Sequence, residues 1–443
     1  MKEKFQINNL TVPIGWSIYT FGETFRHLNT FSFSRENLTG ESTMSKIQCI
    51  HYGDIHTTLE NKILDFHNEG YLISFLKDGL IAEELLHTVD FPYLKDGDLI
   101  IVDVSEDYIG VCKCIEMKNI NEKHIISGLH TIAVRDLKNT TTKGFRTYIL
   151  MHPQVVRQLR RIATGTSVYS VSKTNLSKVM LPIPPIVEQE KIAKILFCWD
   201  KVISTTQTQL IQVQLRNKWL MNQLLSGKRR IKRYVNSEQI HQTILGELPV
   251  DWKLNSLKNI LSQVKKSFTP LKAELYQQIG IRSHTKGIFY KDKVTGAALG
   301  DKRVFWIEAN CFIVNIVFAW EHAIAKTTEK EIGMIASHRF PMYKPKVGVL
   351  YLDFLLYYFK SLRGKQLLEL ASPGGAGRNK TLGQSEFMKL QFPVPSLQEQ
   401  IAIASLLNES EKELKLMNDK LLYLKEQKKG LIKILLTGRK KVT

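Results

Sequence analysis

The chain of 443 residues is poor in cysteine, with Cys49, Cys112, Cys114, Cys198 and Cys311 and no C-x-x-C pair. That spacing offers neither a zinc-ribbon site nor a dithiol motif, and the five read as reduced thiols of a cytoplasmic protein. Cys112 and Cys114 alternate along a strand-like run, which argues against a metal site there. Long apolar runs are missing too. The longest, CFIVNIVFAW at 311–320, is broken by Asn315 and falls far short of a membrane span. The opening MKEKFQINN has no apolar signal core, so secretion by that route is not expected. Acidic residues are in short supply: 62 Lys and Arg stand against 42 Asp and Glu, a formal charge of +20. An excess of that size repels itself unless an anion answers it, and nucleic acid is the first candidate. A merely solubilising surface is the bland alternative.

Phosphate-binding loops are absent as well. No GxxxxGK[ST] and no GxGxxG after a strand marks a nucleotide or S-adenosylmethionine pocket. The glycine-rich SPGGAGRNKTL at 372–382 lacks the GK[ST] junction and reads as a polar loop. HYGDIHT at 51–57 holds two histidines and an aspartate but no further ligand set, so no metal is assigned to it. No catalytic constellation emerges, and the chain reads as non-catalytic by itself.

What is present is a duplication. LPIPPIVEQEKIAKIL at 181–196 returns as FPVPSLQEQIAIASLL from 392, an offset of 211, and LLSGKRR at 224–230 returns as LLTGRKK at 435–441. VPIGW at 12–16 returns as LPVDW at 248–252, an offset of 236, so the difference falls in a variable middle. A length above 400 residues already suggests two to four domains. Each half is a variable block followed by a fixed block.

The fixed blocks read as long helices. Ser396 and Glu399 have the spacing of a capping box, and Pro185 takes the serine's place in the first copy. Gly227 and Gly438 mark the ends, each followed by basic residues. Steps of four and three run through Ile192, Leu196, Trp199, Ile203, Thr206, Leu210, Val213, Asn217, Leu220 and Leu224, and again 211 residues on from Ile403 to Leu435. A seven-residue period held this long predicts a coiled coil, not a straight amphipathic stripe. Antiparallel pairing with residue numbers summing to 627 sets polar Asn217 opposite polar Ser410 and brings Lys428 to Trp199, where its stem can lie along the indole while the ammonium reaches water or the ring face. The variable blocks carry β-like runs, DLIIVDV (98–104), GVCKCIEM (110–117), HTIAVRD (130–136) and RVFWIEANCFIVNIVF (303–318), and VGVLYLDFLLYYFKSL (347–362) leads into a helix.

The P-x-P…E-Q-x-x-I helix start, given twice, together with the P-x-x-W opening of each half, resembles the specificity subunit of type I DNA restriction-modification systems over essentially the whole chain. KIQCIHYGDIHT (46–57) with IISGLHTIAVR (125–135), and IGIRSHTKGIF (279–289) with FAWEHAIA (318–325), resemble target recognition domains. The resemblance implies an α+β fold: two globular target recognition domains joined by two long helices that pair as an antiparallel coiled coil, a pseudo-twofold duplication. The domains expected are recognition domain 1 at 1–180, spacer 1 at 181–228, recognition domain 2 at 229–391 and spacer 2 at 392–443. It implies a chain that is not an enzyme but gives target specificity to a DNA adenine methyltransferase and restriction endonuclease complex. Its implied partners are double-stranded DNA with a bipartite asymmetric site, two modification subunits and restriction subunits. S-adenosylmethionine, ATP and magnesium are expected on those partners and no cofactor on this chain. A coiled-coil scaffold that binds only protein is the rival reading.

Phosphate contacts fix position and base-edge contacts fix sequence, so polar loop residues beside strands are the candidate DNA readers. They are Lys46, Tyr52, His56, Thr57, His130, Thr166, Ser167, Tyr169 and Lys173 in the first block. In the second they are Arg282, His284, Lys286, Trp320, His322, Arg378, Asn379 and Lys380. The candidate partner-binding residues are those of the helix starts: Glu188, Gln189, Ile192, Leu196, Glu399, Gln400, Ile403 and Leu407. The basic run KRRIKR at 228–233 reads as a solvated helix exit, with a phosphate clamp as the alternative.

Overall fold

The structure, a computed structural model, describes residues 4–7, 10–59, 62–67, 73–108, 110–374 and 380–442. Its contacts divide into two compact units, Met1–Thr208 with Asp419–Thr443, and Gln209–Asn418. Among the described residues no helix is long and apolar enough to cross a membrane.

In the first unit a five-stranded sheet runs in the order Arg26–His27, Thr131–Arg135, Leu99–Val102, Cys114–Lys118, Ile63–Asp65, with the last pair parallel and the others antiparallel. The unbroken apolar run at 99–102 is buried on both faces of this sheet. Leu99 and Ile101 enter one core cluster, and Ile100 and Val102 enter another. A four-stranded sheet stands beside it, in the order Ile125–Ser127, Gln48–Ile50, Phe75–Leu76, Leu38–Thr39. Cys112 does not extend the strand that holds Cys114. It takes a left-handed backbone (φ 63) in the preceding turn, though both thiols are buried.

The second unit has a five-stranded sheet in the order Ser267–Phe268, Val304–Trp306, Ile335–Ser337, Leu275–Ile281, Ile288–Thr295. Its four-stranded sheet runs Leu261–Val264, Met342–Pro345, Phe312–Val314, Ile324–Lys326. The run at 347–362 supplies the helix Leu352–Lys360, whose residues Phe354 to Phe359 are buried.

Each fixed block enters its helix from a short strand, and the duplication shows in the pairing. Met180–Ile183 pairs antiparallel with Ser17–Thr20, and Gln391–Val394 pairs the same way with Lys253–Ser256. The first proline of each P-x-P, Pro182 and Pro393, sits in a two-stranded piece, where a missing N–H costs little, and the second, Pro184 and Pro395, follows directly after the strand. The long helices span Ile186–Leu225 and Leu397–Leu435. Just past them Gly227 (φ 71) and Gly438 (φ 59) turn the chain in the left-handed region that glycine adopts without a Cβ penalty.

Within the first unit, Ile192 and Leu196 near the start of the first helix share a core with Leu435 and Leu436 at the end of the second. Within the second unit, Leu224 and Leu225 share a core with Ile403, Ala404 and Leu407. Start meets end both times, so the helices pair antiparallel. Every seam position named above is buried or half-buried in both helices. Asn217 donates from Nδ2 to the Ser410 carbonyl at 2.8 Å, as the 627 register requires, and Arg216 pairs with Glu413 beside it. Lys428 differs from expectation. Its ammonium pairs with Asp200 and lies over the Tyr148 ring. A buried ammonium needs an anion more than a ring, and Asp200 is one residue off the seam.

Candidate nucleic-acid interface

In the first unit Tyr52 opens the short helix Tyr52–Thr57, capped by the ring of His51, whose Nδ1 accepts from the Gly53 amide at 3.1 Å. Burial lowers the His51 pKa, which suits a neutral, accepting ring. Asp54 accepts from the His51 amide at 2.9 Å and pairs with Arg35 at 2.6 Å. The motif at 51–57 therefore builds a helix cap, and among the described residues no group of three or more His, Cys, Asp or Glu could hold a metal. Half-buried Tyr52 meets the edge of His130 with ring centroids 5.3 Å apart. The His56 ring lies 3.3 Å from the Val104 carbonyl, and the Thr57 hydroxyl bonds back to the Gly53 carbonyl.

The strand Val104–Ser105 pairs with Tyr169–Ser170, which brings the loop with exposed Thr166 and Ser167 against the same surface. Exposed Lys173 follows in the first turn of the helix Lys173–Ser177. Tyr52, His56, His130, Tyr169 and the 164–170 loop thus converge. Lys46 is exposed in a separate turn, bonded to Thr43 through its backbone, and Thr57 points its hydroxyl into its own helix.

In the second unit the turn between Leu275–Ile281 and Ile288–Thr295 docks on the turn Ala319–Glu321. The His284 amide donates to the Glu321 carbonyl at 2.7 Å, the Thr285 amide to the His322 carbonyl at 3.0 Å, and the Ser283 hydroxyl to the Glu321 carboxylate at 2.8 Å. Arg282, His284 and Lys286 are all exposed, with the Arg282 guanidinium 4.9 Å above the Phe289 ring. Trp320 is anchored by its indole N–H on the Val317 carbonyl, and Lys380 reaches over its ring at 5.9 Å. These residues and His322 form one patch. Burial pushes the His322 pKa down, and its Nε2 has no hydrogen-bond partner among the described residues. Arg378 and Asn379 lie outside the described residues.

Lys46, His130, His284 and His322 share a left-handed backbone, with φ of 52, 55, 59 and 61. Such conformations cost about 1–2 kcal/mol for residues with a Cβ and concentrate where function holds them in place.

The helix-start residues require a correction. Glu188 is buried and accepts from the Trp16 indole N–H at 3.1 Å, and Glu399 accepts from Trp252 at 3.2 Å. Gln189 takes the Thr142 amide on Oε1 and gives Nε2 to the carbonyls of Pro184 and Thr140. Gln400 repeats this with the Tyr351 amide and the carbonyls of Pro395 and Val349. Both glutamines are fully buried, as are Ile192 and Leu196, and Ile403 and Leu407 are nearly so. All eight are buried among this chain's own residues, which leaves little of them for a partner subunit to contact. The physical reason is that a buried amide or carboxylate must find its donors at home. The capping box at Ser396 forms by half: Ser396 Oγ accepts from the Glu399 amide at 3.3 Å, while the Glu399 carboxylate turns to Trp252 and Arg230. Arg230, in the basic run, is likewise structural, bonded to Glu399, Asp251 and two carbonyls.

Residues that the sequence reading passed over join the first patch. Arg157, Arg160 and Arg161 are exposed on the helix Pro153–Ile162, just before the 164–170 loop, and make no ion pair among the described residues. Their i, i+3, i+4 spacing was readable as one basic helix face. Asp103, beside His130, was also passed over.

Three comparisons bear on this arrangement. A family model described as the type I restriction modification DNA specificity domain matches residues 13–215 and again 249–441. The type I restriction enzyme MjaVIII specificity subunit of Methanocaldococcus jannaschii is 23% identical over 436 residues, covering 89% of this chain and 93% of that one. The crystal structure of a type I restriction-modification system S subunit from M. genitalium shares the fold, with a TM-score of 0.53 at 13% identity over 98% of this chain and 99% of that one. A structure described as addressing complex assembly and conformational transition of the type I R-M system gives 0.55 at 13% identity over 96% and 99%. With both copies of the domain matched across the two helix starts, the two P-x-x-W motifs and both patches, the chain belongs to the family of type I restriction modification DNA specificity domains.

Proposed function

We propose that this chain is the DNA sequence-specificity subunit of a type I restriction-modification system. The first unit's patch reads one half of a bipartite asymmetric site in double-stranded DNA, and the second unit's patch reads the other. The observation that carries this reading is the duplicated specificity domain, each copy with its own exposed patch of cations, rings and hydroxyls held by strands. The recognition domains correspond to 1–180 and 229–391, with spacers at 181–228 and 392–443. The chain itself is non-catalytic. Modification subunits, two per complex, supply S-adenosylmethionine and adenine methylation, and restriction subunits supply ATP- and magnesium-dependent cleavage. With the eight helix-start residues buried, those partners dock on other, exposed surfaces.

The test is duplex binding by the purified full chain across a salt series. Binding that weakens steeply with salt and retains a preference for one bipartite sequence supports the reading. A chain that binds protein partners but no duplex at low salt fits the scaffold instead. Incubated alone with labelled S-adenosylmethionine and its DNA, the chain transfers no methyl groups.

A further inference from the structure

We infer that Arg282 reads a guanine in the half-site of the second unit, held for that contact by Gly280 and Phe289; this rests on the DNA-reading function above. Arg282 follows the strand Leu275–Ile281 and opens the turn that leads into Ile288–Thr295. Its amide continues the ladder, donating to the Gly287 carbonyl at 3.0 Å. Gly280 stands directly opposite Phe289 in this antiparallel ribbon. Opposed residues share a face, and Arg282, two residues on from Gly280, belongs to the same face. Gly280 is buried, and the Phe289 ring covers it so closely that a Cβ there would lie 2.3 Å from the ring. The missing side chain is what lets the ring settle on the ribbon.

The Arg282 guanidinium lies over that ring, 4.9 Å from its centroid. A cation over a ring face spends none of its N–H donors on hydrogen bonds. The Arg282 side chain is exposed and makes no hydrogen bond or ion pair among the described residues. The carboxylate of the turn docked beside it, Glu321, accepts from the Ser283 hydroxyl at 2.8 Å. The donors of Arg282 are therefore oriented, open to solvent and unspent. The turn beneath them is fixed as well. His284 (φ 59) and Thr285 (φ 56) are both left-handed, a conformation that β-branched threonine avoids. Their amides are tied to the carbonyls of Glu321 and His322 at 2.7 Å and 3.0 Å, and such strain persists only where its surroundings hold it.

The shape of the guanidinium narrows the ligand. Its planar fork of donors matches a pair of acceptors. Duplex DNA offers such pairs on its phosphates and on the O6/N7 edge of guanine. A phosphate is satisfied by a mobile point charge, which exposed Lys286 supplies in the same turn. A two-stranded ribbon fits the major groove, where the guanine edge takes the arginine fork. Adenine N6 and cytosine N4 present donors there, which face the donors of the guanidinium.

The experiment selects bound sequences from a randomised duplex pool with the purified full chain, as wild type, Arg282→Lys, Arg282→Ala and Phe289→Leu. Lysine keeps the charge and loses the fork, and leucine keeps an apolar cover over Gly280 and loses the ring face. The expected result is that wild type prefers guanine at one position of one half-site, and that both Arg282 variants lose that preference by about 5- to 150-fold. Phe289→Leu weakens the preference at that same position and at no other, which a merely structural role would not do. Preferences throughout the other half-site stay as in wild type and report a folded chain. Arg282 variants that keep every preference overturn the inference while leaving the DNA-reading function intact. So does a uniform loss of affinity across sequences with a salt slope lowered by about 1, which makes Arg282 a phosphate contact. Loss of the whole half-site in both Arg282 variants also overturns it, and an unchanged guanine preference in Phe289→Leu overturns the part given to the ring. A wild type that selects no sequence at all overturns the function itself.

Discussion

Arg230 donates to Asp251 at 2.7 Å and to Glu399 at 2.8 Å, and Glu399 also takes the Trp252 indole. The first unit keeps the indole–carboxylate pair Trp16–Glu188 but has Lys441 and Gly15 where the repeat offsets would put Arg230 and Asp251. Its Glu188 Oε1 is buried without a hydrogen-bond partner among the described residues. The two units therefore hold the same joint with unequal strength. Replacing Arg230 with methionine strands two carboxylates, one of them almost fully buried, and should destabilise the second unit by about 3–5 kcal/mol. Lys441→Met, at an exposed side chain, should change stability by no more than about 0.5 kcal/mol. Urea titration of both variants checks the contrast, and equal midpoints would show that Arg230 contributes nothing the lysine lacks. At this scale the sequence was informative about residue type and silent about partners. Trp16 and Glu188 are 172 residues apart and Trp252 and Glu399 are 147 apart, so no local pattern announced that the two repeated motifs are halves of one joint.

Helices were the most legible elements, because a seven-residue period over ten seam positions has few other physical readings. The register was legible too, since only one antiparallel alignment pairs Asn217 with Ser410, and the observed bond follows. What escaped was Asp200, which is off the seam and so carried no periodic signal, although it neutralises Lys428. The loops were legible only in composition: nothing short of the backbone reveals that His130, His284 and His322 are left-handed. Two predictions belong here. Cysteines at 217 and 410, in a chain stripped of its native cysteines, should form a disulfide under mild oxidation, and crosslinking of 217 to 428 with none to 410 would contradict the register. Gly227→Ala and Gly438→Ala should each lower stability by more than 1 kcal/mol, on the order of the left-handed cost alone. Their new Cβ atoms would also lie 2.5 Å and 2.3 Å from the rings of Pro249 and Pro13. Thermal unfolding reads both, and an unshifted transition would mean that the helix ends re-form elsewhere.

For the whole molecule the question is whether recognition can change without loss of the fold, and the helix starts decide it. Gln189 grips the first block at Thr142 N and Thr140 O, which are backbone atoms, and Gln400 grips the second at Tyr351 N and Val349 O. Glu188 and Glu399 hold tryptophans that belong to the repeated motifs and lie before the variable residues. A variable block can therefore exchange its exposed side chains while the clamps find the same peptide groups. Replacing residues 26–150 with the matching block of a relative should leave a folded chain that reads a new first half-site and the old second one. The block carries Tyr52, His56, Asp103 and His130 but not the 164–170 loop or Lys173, so positions met by that loop should carry over. Tyr148 must be kept in the graft, because its hydroxyl donates to Asp200 at 2.7 Å beside the Lys428 ammonium. Selection from a randomised duplex pool reads both half-sites at once. If they changed together, the units would not read independently. If neither changed, the first patch would lie outside 26–150, and the 164–170 loop with the arginines of the helix Pro153–Ile162 would become the reading surface.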